Sequence, residues 1–358
     1  MRIGILTQPL RANYGGILQN WALQQVLIRL GHTPVTISYG DYTRRERLSI
    51  DLRWFAHQVL RTRGRHVVEH TRQWRRGCRH MQDFCRRHIA MSSGERCCSE
   101  RHWASDAFDA YVVGSDQVWR PRYNLTPGQL TAMFGGYAAA GMRLVAYAAS
   151  FGTDEWEMNA EQTEQSRRLI SRFSGVSVRE SGAVELCRRH LNTEATLVLD
   201  PTLLLSADDY RSLITPEASA TVPSGSLGVY FLDPTPAKMD EAERMASRLG
   251  LRIHTLGAKT SDGEKASVES WLAAFDRCEY IVTDSFHGTV FSILFHRPFA
   301  SIVNERRGAG RITSLLTLTG LVDRTTASTA PIDWAAVDDR LATARPDSLS
   351  FLRTHLPA

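Results

Sequence analysis

The chain has 358 residues, 43% of them hydrophobic and 23% charged, with 43 Lys and Arg against 38 Asp and Glu. This is enough for two domains of ordinary size, and the balance describes a globular chain rather than a disordered or membrane one. No stretch approaches the roughly 18 apolar residues of a membrane span, and residues 1–7 enter a short strand without the apolar core of a secretory leader, so a cytoplasmic protein is expected.

The elements alternate between strand and helix, the pattern of parallel sheets with crossover helices. Residues 2–6 read as a first strand; Gly15-Gly16 then open a helix over 17–30 that stops at Gly31, and 34–39 form a second strand. A basic zone follows. Residues 41–101 carry 15 arginines against 7 acidic residues, and Leu52, Phe55 and Val59 recur at helical spacing, so the zone reads as an inserted helical pair. Short apolar segments at 110–113, 143–149, 175–178 and 196–199, bounded by Gly, Ser or Asp, read as strands buried on both faces, with a helix at 183–190. Residues 215–226 hold Pro216, Pro223 and Gly225 and mark a domain boundary. Beyond it come strands at 227–232, 251–255, 280–283 and 299–303 and helices at 236–249, 268–275, 289–295, 312–319 and 334–352. The pattern predicts an α/β protein of two Rossmann-like domains facing a central cleft, 1–220 and 221–358, with the basic helical region inserted in the first.

The six cysteines form no C-x-x-C pair and no zinc-like spacing with histidine, and Cys97-Cys98 are adjacent, a poor geometry for a disulfide; all six read as reduced thiols. No carboxylate–histidine cluster has metal spacing, and neither G-x-G-x-x-G nor a Walker A loop is present, which argues against NAD or ATP. The basic zone lacks the aromatic spacing of a single-strand-binding surface, so nucleic acid is not expected as a partner.

Ligands bind open α/β sheets at the carboxyl ends of the strands, and four junctions lie there. They are Asn13-Tyr14-Gly15-Gly16, Gly114-Ser115-Asp116-Gln117-Val118-Trp119, Val178-Arg179-Glu180-Ser181 and Ser285-Phe286-His287-Gly288. In the last, Ser285 or Asp284 can cap a helix whose free N–H groups favour an anion, and Gly288 permits close approach. His287 then either exchanges a proton with the ligand or only satisfies a buried carbonyl.

These motifs, with Leu18-Gln19, Asp200-Pro201-Thr202, Arg311-Ile312 and Gly320-Leu321, occur in an order that resembles the polysaccharide pyruvyl transferase family from Ile3 to about Arg324. Where many members have an arginine two residues before the histidine, this chain has Ser285. The resemblance implies a fold like the GT-B glycosyltransferases, phosphoenolpyruvate as donor, a saccharide diol as acceptor and a pyruvate ketal on a bacterial cell-surface polysaccharide, made without metal or redox cofactor. It implies His287 as the acid or acid–base residue and Arg179 as the ligand of the donor's anionic groups, unless Arg179 is an ion pair with Glu180. Asp116 is either the base for the acceptor or the cap of its own turn; Trp119 either stacks on a sugar or packs in the core. Gly15 and Gly16 either admit substrate or the opposite domain, or serve only the turn; Arg311 is a second donor contact, and Asn13, Ser115, Ser285 and Gly288 complete the substrate-binding set. The acceptor domain is the first and the donor domain the second. The basic zone is either a rim for a lipid-pyrophosphate-linked acceptor at the inner face of the membrane or a solvated arginine-rich face. A sugar-nucleotide glycosyltransferase of the same architecture, and an anion- or glycan-binding protein without turnover, are the competing functions.

Overall fold

The computed structural model describes residues 1–37, 77–92, 108–124, 127–302 and 309–357. Two parallel sheets carry them. The first holds β1 (Arg2–Leu6), β2 (Thr33–Thr36), β3 (Ala110–Val113), β4 (Arg143–Ala149), β5 (Gly175–Val178) and β6 (Thr196–Leu197), in the order β2-β1-β3-β4-β5-β6. The second holds β7 (Ser226–Tyr230), β8 (Arg252–Thr255), β9 (Tyr280–Thr283) and β10 (Phe299–Ser301), in the order β10-β9-β7-β8. β3, β7 and β9 are buried along their whole length, as strands covered by helices on both faces must be. Strand order reverses between β1 and β3 in one sheet and between β7 and β9 in the other, which sets a ligand crevice at each reversal.

The two halves share a core. The helix Tyr14–Arg29 is buried on nearly every side, and Tyr14 stacks on Trp271 of the other half at 5.4 Å between ring centroids. It starts at Tyr14 rather than at residue 17, so Gly15 and Gly16 lie in its first turn. The C-terminal helix Trp334–His355 starts in the second half and returns to the first: Ser348 Oγ accepts from Leu199 N, and Phe351 packs on Tyr147. A cut at residue 220 therefore separates this helix from the sheet that it covers.

Several short helices escaped the periodicity. Pro127–Met133, Ala160–Ile170 and Ala207–Arg211 occupy stretches without an assignment, and Pro216–Ala220 lies inside the expected linker, capped by Thr215. Strand β6 is shorter than expected, two residues. Of the basic zone, only 77–92 lies within the described residues. Its helix Arg79–His88 bridges the halves: Arg79 and His80 pair with Asp262 at 3.0 Å, and Arg87 with Glu269 at 2.6 Å. Arg79 and Arg87 thus pair across the halves while more than half of each side chain stays exposed. Cys78, Cys85, Cys187 and Cys278 are buried thiols, while Cys97 and Cys98 lie outside the described residues. Among the described residues no helix is long and apolar enough to cross a membrane.

Candidate active site

The turn after β9 is tied down by its own short polar side chains. Thr283 Oγ1 donates to Tyr230 O at 2.7 Å and accepts from Ser285 N at 3.1 Å. Asp284 accepts from Leu232 N and Asp233 N at the end of the neighbouring strand and from Lys238 Nζ at 2.6 Å. Ser285 is the cap: its Oγ accepts from Gly288 N, and the helix Phe286–Leu294 begins three residues earlier than the apolar run suggested. His287 thus sits in the first helical turn. A β-carbon at Gly288 would overlap Thr283 Oγ1, so that glycine serves the seat of the helix on its strand, not a ligand.

Across from this turn, the helix Tyr14–Arg29 presents Gly15. A β-carbon there would overlap the His287 ring, so the missing side chain lets the two halves close on the imidazole. His287 Nε2 lies 3.8 Å from Asp200 Oδ2, an ion-pair distance rather than a hydrogen bond, and has no hydrogen-bond partner although buried. Asp200 belongs to the Asp200-Pro201-Thr202 turn, where it accepts from Thr202 N and Oγ1, from Gln19 Nε2 and from Arg179 Nη1 at 2.7 Å. Burial opposes its charge, but His287, Arg179 and Thr202 together outweigh burial and hold its carboxyl well below the usual range.

Arg179 is fully buried and does not line the cleft. Its guanidinium lies 2.7 Å from Asp200, 3.5 Å from Asp116 and 3.8 Å from Glu180. Burial works against its charge, and the three carboxylates more than restore it. The Phe286 ring lies 4.9 Å from this guanidinium and 5.7 Å from that of Arg311. Arg311 does line the cleft; burial first, then the charge of Arg179, pushes it down to about 10. Glu180 shows the opposite balance from Asp200. Burial raises it, and Arg179, Arg311, Ser150 and Gly152 only partly counter that.

The cleft between the halves has a volume of about 330 Å³ and sits at both strand-order reversals. Of the residues singled out in the sequence, Asn13, Gly16, Asp116, Ser285, His287 and Arg311 line it. Asp116 Oδ1 accepts from Gln117 N at 2.7 Å, so it caps its own turn while its side chain stays 13% exposed to the cleft. Ser115 is buried behind the wall, where its carbonyl accepts from Gln19. Trp119 is a core residue, not a sugar platform: it stacks on Phe134 at 5.1 Å and donates to Met133 O. The rings of Phe134 and Phe151 that pack on it had no sequence mark linking them to the cleft.

Sequence reasoning left out of the site Asp200, Gln19, Gln8, Gln117 and Asn124, the first two as partners in the buried network and the rest on the wall. Asp200 and Gln19 stood inside quoted motifs; their signal was present without a partner to interpret it. Among the described residues no group of His, Cys, Asp and Glu side chains is placed to hold a metal ion.

The arrangement can hold an anion between Arg311 and the Phe286 helix start, offer a proton from His287 and receive one at Asp116. In overall fold the chain is similar to a glycosyltransferase from Rickettsia africae, at 9% identity and a TM-score of 0.48 over 99% of this chain and 98% of that one. It is also similar to the UGT89C1 protein of Arabidopsis thaliana complexed with UDP-L-rhamnose, at 9% identity and 0.47 over 99% and 93%. A third is a UDP-N-acetylglucosamine 2-epimerase from Rickettsia bellii, at 8% identity and 0.40 over 99% of each. At these identities the likeness concerns the fold alone. No curated protein matches the chain as a relative. The family model of polysaccharide pyruvyl transferases matches residues 13–306, which include all four junctions. The chain belongs to the polysaccharide pyruvyl transferase family.

Proposed function

We propose that the protein moves the enolpyruvyl group of phosphoenolpyruvate onto a saccharide diol and closes it to a pyruvate ketal during the synthesis of a bacterial cell-surface polysaccharide. The observation that carries this reading is His287: an imidazole on the cleft wall, its Nε2 without a hydrogen-bond partner and an ionised carboxylate behind it at 3.8 Å. Asp200 gives the ring a counter-ion when it carries its proton.

Arg311 and the backbone N–H groups at the start of the Phe286–Leu294 helix receive the donor's phosphate and carboxylate. His287 gives a proton to the methylene carbon, and positive character develops on the carbon that bears the phosphate. Asp116 takes the proton of an acceptor hydroxyl, whose oxygen bonds to that carbon; the bond from that carbon to the phosphate oxygen breaks, phosphate leaves with the proton from Asp116, and the second hydroxyl closes the ring as its proton returns to His287. Arg179 enters as a positioning residue through Asp116 and Asp200, not as a donor ligand. The reaction needs charge and a proton rather than a redox centre, so the reading assigns no cofactor. It keeps the protein cytoplasmic; a lipid-pyrophosphate-linked acceptor and peripheral membrane contact rest on the charge of residues 41–101 alone.

The test is phosphate release from phosphoenolpyruvate with and without candidate saccharides. Release that depends on a diol is expected. Turnover of a nucleotide sugar with phosphoenolpyruvate inert, or binding of glycans without any turnover, overturns the reading.

A further inference from the structure

The wall of the cleft that belongs to the first half carries Arg11 and Asp116 among neutral polar side chains, and one of the neutral ones is held unusually firmly. Gln117 follows β3 by four residues, lines the cleft and is only 8% exposed. Its Oε1 accepts from Arg120 Nη1 at 3.1 Å. Arg120 is itself buried and clamped by Glu157, with Nε and Nη2 donating to the two carboxylate oxygens at 2.9 and 2.8 Å. Gly152 lies directly beneath the amide, where any β-carbon would overlap Oε1. The side chain therefore cannot turn over without losing its one charge-assisted bond, and its two amide N–H donors make no hydrogen bond with a described residue.

Around it the wall offers matching groups. Asn124 spends its amide nitrogen on the Val118 and Arg120 carbonyls, which turns its Oδ1 outward toward Gln8 at 3.4 Å, a weak contact. The Tyr123 hydroxyl and the Asn13 amide, both on the cleft, make no hydrogen bond with described residues. Asp116, a carboxylate, stands among them. Fixed donors beside fixed acceptors suit hydroxyl groups, each of which gives one hydrogen bond and takes others. Arg11, the cation of this wall, already has an interaction partner, so a second carboxylate or a phosphate set against Asp116 would be repelled.

We infer that Gln117, locked by Arg120 and Glu157, is the specificity-determining residue of an acceptor subsite that takes an uncharged, hydroxyl-bearing sugar ring and rejects an acidic one. The inference rests on the proposed function only for the name of that ligand as acceptor. Gln117 donates to a ring hydroxyl or the ring oxygen, and so presents the neighbouring hydroxyl to Asp116.

The experiment measures binding of neutral methyl glycosides and of the corresponding methyl uronides by saturation-transfer NMR without donor. Phosphoenolpyruvate affinity is measured separately by calorimetry. The wild type should bind neutral glycosides and discriminate against the uronides. Gln117→Leu should weaken glycoside binding by roughly tenfold to a hundredfold, the loss of buried hydrogen bonds, with phosphoenolpyruvate affinity within about twofold. Gln117→Glu keeps the oxygen that Arg120 holds and removes the donors, so it should show the same loss, with its fold checked by urea unfolding. Where turnover is present, the acceptor KM rises and the donor KM does not. Uronides bound as tightly as neutral sugars, no binding of any neutral glycoside, or an equal fall in phosphoenolpyruvate affinity would each overturn the inference. Selective glycoside binding by a protein that never turns over phosphoenolpyruvate would sink the donor chemistry and leave this subsite standing.

Discussion

The two walls of the cleft are held by different means. On the second half, the polar side chains of the turn are spent mainly on nearby backbone: Thr283 on Tyr230, Asp284 on Leu232 and Asp233 as well as on Lys238, Ser285 on Gly288. The wall there is rigid before any ligand arrives, and His287 is the group left with an unpartnered nitrogen. On the first half, side chains hold side chains: Glu157 holds Arg120, which holds Gln117, while Asp200 holds Gln19 and Arg179, which approaches Asp116. The lesson is that a local turn can fix one reactive group, whereas a surface that must read a shape needs a network drawn from several strands.

The sharpest way to break this comparison is to remove the reactive group. His287→Gln should lower phosphate release by about 10²- to 10⁴-fold, the usual weight of a positioned acid, with unfolding in urea little changed. A rate within tenfold of wild type would take the imidazole out of the chemistry. The next largest effect falls on the network. Arg179→Met leaves the buried Asp200 and Glu180, and Asp116 on the cleft wall, without their shared cation, and should cost about 3–5 kcal/mol in urea unfolding. A loss below about 1 kcal/mol would show that water or rearrangement replaces the cation. Ser285→Ala tests the local wall and should cost only about 1 kcal/mol, because one cap bond is lost; a loss as large as that of Arg179→Met would erase the distinction.

The smallest effect separates the two buried carboxylates. Asp200 is held below the ordinary range, so its contribution to stability is present at neutral pH and is lost as the solution becomes acidic. Glu180 is held above it by burial, so its contribution is complete in acid and is lost as pH rises through the raised value. Glu180→Gln should therefore make the protein slightly more stable at neutral pH and leave it unchanged in acid, read from urea midpoints at the two pH values. A loss at neutral pH would mean that its ion pair with Arg179 outweighs burial.

The alternation of strands and helices was legible throughout, because strands buried on both faces read as short apolar runs bounded by Gly, Ser and Asp. The His287 turn was legible for the same reason: its cap, its glycine and its strand lie within ten residues. Trp119 was not. Its motif neighbours Ser115 and Asp116 point to a site, yet the indole packs on Phe134 and Phe151, side chains 15 and 32 positions away. Arg179 suffered the same ambiguity. An arginine at a strand end suits an anion, and only the approach of Asp200, 21 residues on, shows that its anions are the protein's own. The helix Tyr14–Arg29 also gave a poor boundary, since a helix buried all round has no polar face to mark its register.

By itself, then, the amino-acid order determined the parallel α/β class, the junctions that carry polar chemistry and the family to which they belong, since these depend on spacing along the chain. Only the tertiary structure decided which of those residues meet: that Gly15 yields its place to the His287 ring, that Asp200 backs that ring, and that Gln117 is locked by Arg120 while Trp119 turns away. Side-chain pairing across tens or hundreds of residues is set by packing and charge in three dimensions, and no local pattern encodes it.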